Sequence, residues 1–160
     1  MAAGIGSAAT RKTMERLAGP AEAGSLVSAL TEAGYSGAAM RAQNAAAELV
    51  GRAGPVHYPL VTVYCEKVVN DLREKFRSFS GSAQMAIEVR HSQDRLEGLE
   101  DALEQQADTL TKALADSRGD WGDGLYFAGG YEVSYGRVAR GGKNFTQVAK
   151  VTFEIGVSRD

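Results

Sequence analysis

Between Phe145 and Val157 the chain places Ala149, Val151, Phe153, Ile155 and Val157 on one side and Lys150, Thr152 and Glu154 on the other. Side chains that alternate in this way belong to a β-strand with one face against a core. The stretch Tyr131–Ala139 carries Tyr131, Val133 and Tyr135 on one face in the same manner. Gly141-Gly142 between the two supplies the positive φ angles of a tight hairpin. The second strand would span about 40 Å at ~3.3 Å per residue. That is longer than the sheet of a small domain needs, so the hairpin tip Arg137–Asn144 is expected to project beyond the body.

Leu60–Cys65 (LVTVYC) is β-branched and aromatic and reads as a strand. Gln84–His91 alternates, with Met85, Ile87, Val89 and His91 facing one way, and reads as a half-buried strand. Ser92 then caps an expected helix from Gln93 to about Ser117. Its Leu96, Leu99, Leu103, Leu110 and Leu114 form one apolar stripe, and Gly119 is its terminating glycine. Lys67–Phe79 is less regular, although Val68, Val69, Leu72, Phe76 and Phe79 fit a helical face. GDWGDG (Gly119–Gly124) reads as a loop, pinned to the core by Trp121.

Residues 1–55 are rich in Ala and Gly. They suggest three short helices: Ser7–Ala18, Ser25–Ala33 with Ser25 as N-cap, and Ala38 to about Val50. Alanine favours helix but buries little area, so this segment is expected to lean on the main domain, residues 56–160, or on a neighbouring subunit. The fold class expected is α+β. A mostly antiparallel sheet of about four strands packs on a long amphipathic helix, with an N-terminal helical segment and a long C-terminal β-hairpin.

A net charge of -2 argues against gripping nucleic acid with the whole surface. No apolar run approaches the roughly 20 residues of a membrane helix, and the N-terminus does not resemble a secretory signal. Asn144-Phe145-Thr146 is therefore read as a chance sequon. The single cysteine, Cys65, leaves no intrachain disulfide and no multi-cysteine metal site. It reads as a small core residue on a strand. His91, at a strand end, reads as a structural histidine, and His57 is the only other. Asp120 and Asp123 lack the alternating oxygen ligands of a calcium loop. Gly141-Gly142-Lys143 lacks the rest of a phosphate loop. Nucleophile elbows, zinc-protease spacing and dinucleotide fingerprints are absent from the sequence. The expectation is a non-enzymatic chain with no catalytic residues, no metal and no cofactor.

Charge offers a better lead. Gln93–Ser117 holds seven acids, Asp94, Glu97, Glu100, Asp101, Glu104, Asp108 and Asp116, against Arg95 and Lys112. The hairpin tip is basic, with Arg137, Arg140 and Lys143 beside Asn144. Two solvated faces would account for this. So would a contact between copies, in which the tip of one lies on Glu97, Glu100, Asp101, Glu104 and Asp108 of the next. Such a head-to-tail contact builds a ring when its rotation closes.

The stretches YPLVTVYCEKVVNDLREKFRSFSGSAQMAIEVRHS and GLYFAGGYEVSYGRVARGGKNFTQVAKVTFEIGV, in this order, resemble the tail-terminator (tail-completion) proteins of tailed bacteriophages and related contractile particles. The resemblance covers about residues 56–160. It implies a structural virion protein, assembled in the host cytoplasm. Its ring, usually a hexamer, caps the head-proximal end of the tail tube and joins the neck. The partners implied are the chain itself, the tail tube protein, a neck or connector protein and, in contractile tails, the sheath. DNA would be passing cargo, and the sheet would face the lumen with helices outside. A head-to-tail connector or stopper is the nearest alternative. A small α/β enzyme or ligand-binding domain, and a β-ribbon nucleic-acid module, are further ones.

Overall fold

The alternating C-terminal segment is the spine of the molecule. In the computed structural model, which describes residues 4–18, 25–42 and 58–160, it forms the strand Asn144–Arg159. In chain order the strands are β1 (Ala39–Arg41), β2 (Leu60–Asn70), β3 (Phe79–Gln93), β4 (Gly119–Gly122), β5 (Leu125–Tyr135), β6 (Ala139–Gly141) and β7 (Asn144–Arg159). The helices are α1 (Ile5–Ala18), α2 (Leu26–Glu32) and α3 (Leu99–Ala115). The sheet runs β1-β2-β3-β7-β5-β4, with β6 following β5 along the same side of β7. Only β1 and β2 pair in parallel; the remaining ladders are antiparallel.

This overturns the expected fold class. The sheet has seven strands rather than about four, it is mixed, and three helices of 14, 7 and 17 residues share it. The expected helix Gln93–Ser117 is shorter at its start because β3 continues to Gln93, pairing Ser92 with Thr146 and Gln93 with Phe145. Backbone ladder bonds thus claim the residue expected to cap the helix. The Gln93 amide then holds the turn by donating to the carbonyls of Arg95 and Glu97, both at 2.8 Å. Gly98 enters α3 at φ 79°, a conformation costly for a side chain. Leu96 is left exposed outside the stripe. At the other end Asp116, not Gly119, caps α3, and Gly119 opens β4.

Three further segments depart from expectation. Lys67–Asn70 extends β2 instead of starting a helix, and residues 71–78 form a loop. Ala39–Arg41, expected as the start of a third helix, is β1; residues 43–50, the rest of that expectation, lie outside the described residues. β7 is long because β3 matches it, pairing from Phe145 to Arg159. The tip therefore passes the sheet end by only the Gly142-Lys143 turn and its neighbours. Helices α1 and α2 lie close to the expected spans, and Ser25 caps α2, its Oγ accepting from the Ser28 amide at 3.1 Å.

The helices lie together on one face of the sheet. Ala9 and Leu17 of α1, Leu26 and Leu30 of α2, and Leu103, Ala107, Leu110 and Leu114 of α3 join one core with Met85, Ile87, Val151, Ile155 and Phe127 from the strands. At ~25 cal/mol per Å² of buried apolar surface this common core is the main stabilising term.

Candidate assembly surfaces

Strand parity sets the opposite face. Ser82, Gln84, Ala86 and Glu88 of β3 point away from the helices, in line with Glu154, Thr152 and Lys150 of β7. Small and polar side chains dominate it, with no helix laid over it among the described residues. A groove of about 750 Å³ runs across it, with Lys67 and Val69 on one bank and Tyr126 and Glu132 on the other. Two ion pairs lie on this face, Lys150 with Glu66 and Arg73 with Glu154 at 3.4 Å, while Lys67 and Glu132 on the banks of the groove have no ionic partner among the described residues. A second groove, about 920 Å³, lies on the helix side among α1, α2 and α3, above Trp121. No group of three or more His, Cys, Asp or Glu placed to hold a metal ion occurs among the described residues. Burial pushes the Cys65 thiol up from its usual range, which leaves it protonated rather than nucleophilic.

The structure places both charge sets expected from sequence at one end of the strands. Arg137, Arg140, Lys143 and Asn144 are exposed around the β6–β7 turn. Glu97, Glu100, Asp101, Glu104 and Asp108 are exposed on α3 and the turn before it. Tyr135, at the end of β5, has its hydroxyl pKa raised by partial burial and by the carboxylates of Glu104 and Asp108. Arg140 lies 5.8 Å from the Phe145 ring. The two sets do not pair. Among the described residues no ion pair involves any of the three cations or the five acids.

His91 ends the core face of β3 and packs edge-on against Tyr35, ring centres 5.9 Å apart. Its Nε2 meets Gln93 Oε1 at 3.2 Å. Its Nδ1, both amide atoms of Gln106 and Gln147 Oε1 are buried without a hydrogen-bond partner among the described residues. Burial lowers the His91 pKa below its ordinary value. The unfolded chain therefore binds this proton more readily, and stability falls as pH drops below about 6.5, the free imidazole value. Wild type is expected to lose stability over this window more steeply than His91→Gln. Parallel urea titrations at pH 7 and pH 5 check it, and equal losses would refute the account.

Neither a protein-family model nor a curated protein matches the chain.

Sequence reasoning missed the β2–β3 loop. Asn70 holds it, its Oδ1 accepting from the amides of Leu72 and Ser80 at 3.3 and 3.1 Å while its Nδ2 donates to Ser78 O at 3.1 Å. The loop presents Phe76 with 98% of its surface exposed. Asn70-Asp71 directly after a β-branched run was the available signal, because both residues initiate turns.

Proposed function

We propose that this chain is a structural subunit that works by self-assembly, as a tail-terminator ring of about six copies that caps a phage tail tube at the neck. The observation that carries the reading is a basic tip and an acidic helix face, both exposed and both without an ion pair among the described residues. Eight exposed charges of complementary sign, with no ion pair among the described residues, suit a neighbouring copy. The division of faces supports the same reading. Helices cover one side, and the other is a polar sheet that carries charges of both signs, a wall with no single-sign field to hold passing DNA. Among the described residues no helix is long and apolar enough to cross a membrane, which suits a particle component. In this reading one rim of the ring accepts the last tube ring and the other accepts a neck protein.

Negative-stain microscopy of the purified protein, alone and mixed with tail tubes, tests this. Rings alone, and rings seated on one end of each tube, are the expected result. Rings that bind only portal-side connectors would assign the chain to the connector class instead. A monomer indifferent to tubes would remove the proposal.

A further inference from the structure

We infer that copies of this chain join edge to edge, the outer edge of β2 in one copy pairing with the outer edge of β5 in the next. The inference rests on the premise of self-assembly above and names the surfaces that perform it. Among the described residues both edges are open. β1 covers β2 only at Leu60–Thr62, and β4 covers β5 only at Leu125–Phe127. Beyond those points, among the described residues, no backbone group of another segment bonds to the outer side of Val63–Asn70 or of Tyr131–Tyr135. Unpaired strand edges of this kind are templates for another chain.

Direction agrees. β2, β3, β7 and β5 are successively antiparallel, so β2 and β5 run in opposite senses. A neighbour related by rotation about an axis parallel to the strands would then continue an antiparallel ladder, and a closing rotation would make a ring. Side chains agree as well. Exposed large apolar residues gather at these edges: Val68 and Val69 on β2, both 41% exposed, and Tyr131 and Tyr135 on β5, 44% and 47% exposed. β3 and β7 contribute none. Pairing across the junction would match like with like, because Val68, Tyr131 and Tyr135 all project to the helix face. On the open face Lys67 of one copy meets the flank carrying Glu132 of the next.

Cross-linking decides it. On a Cys65→Ala background, Lys67→Cys and Glu132→Cys chains are made separately, checked for native circular dichroism, then mixed under mild oxidation. Disulfide heterodimers in the mixture, with little homodimer in either chain alone, are the expected result. Homodimers of equal yield, or no cross-link, overturn the inference. Tyr135→Glu, which puts a further carboxylate on the edge beside those of Glu104 and Asp108, is expected to weaken self-association about tenfold by sedimentation, and unchanged association also overturns it. Rings seen by microscopy without the cross-link refute edge pairing and leave the tail proposal standing. Cross-linked rings that ignore tail tubes support edge pairing and remove the tail proposal.

Discussion

Phe127→Ala is expected to lower the free energy of unfolding by about 3–5 kcal/mol. The Phe127 side chain is fully buried, and its ring lies 5.6 Å from that of Trp121 and 5.3 Å from that of Phe153, at tilted and edge-on angles. Aromatic contacts in such geometries add about 0.5–1.5 kcal/mol to the area they bury. The cluster is a structural joint. Trp121 belongs to β4 and donates its indole N–H to Ser117 O at 2.6 Å, just past the end of α3, while Phe153 sits mid-way along β7. Removing Phe127 leaves a cavity where α3, β4, β5 and β7 meet. A domain of this kind has roughly 5–15 kcal/mol in all, so the variant should be close to unfolding at 37 °C. Trp121 is the only tryptophan in the chain, so its fluorescence during urea unfolding reports on the site itself. Phe127→Leu, which keeps most of the apolar volume, should lose less. A loss below about 1 kcal/mol for Phe127→Ala would mean that the cluster collapses around the gap and that its packing is not the joint described.

Legibility followed burial pattern. β3 and β7 could be read because each has a clean two-residue alternation, and both sit mid-sheet where one face meets the core. The segment Val68–Phe79 could not, because its apolar residues at three- and four-residue spacing resemble a helical face. In the folded chain Val68 and Val69 lie on a sheet edge and Phe76 in solvent, so they answer to no core at all. The start of α3 failed for a different reason. Ser92 and the leucines after it satisfy the local rules for a helix cap and stripe, but strand pairing with Thr146 and Phe145 is a long-range term absent from those rules. β1, β4 and β6 have 3, 4 and 3 residues, too short for periodicity to register, and exist because a longer neighbour offers an edge. Of the candidate surfaces, the charge sets on the tip and on α3 were visible from composition. The open edges of β2 and β5 were not, since an edge is a property of the finished sheet.

Reversing the tip, with Arg137→Glu, Arg140→Glu and Lys143→Glu together, is expected to weaken ring assembly about a hundredfold while leaving the subunit folded. The two halves of that expectation have separate causes. All three side chains are exposed and make no ion pair among the described residues. Surface substitutions of this kind change stability by about 0.5 kcal/mol or less. Assembly differs because complementary charges steer encounter and fix register, and like charges set against each other cost several kcal/mol. Individual exposed pairs contribute only about 0–1 kcal/mol, so affinity itself must come from apolar contact such as the β2 and β5 edges. Salt separates these contributions. Raising ionic strength from ~0.1 M to ~1 M shortens the screening length from about 10 Å to about 3 Å. Wild-type assembly should slow under that change, and the reversed variant should respond weakly or in the opposite sense. Native mass spectrometry for ring yield, with stopped-flow light scattering for rate, reads both. Undiminished rings from the triple variant would confine the tip and helix charges to solvation and leave assembly to the sheet edges alone.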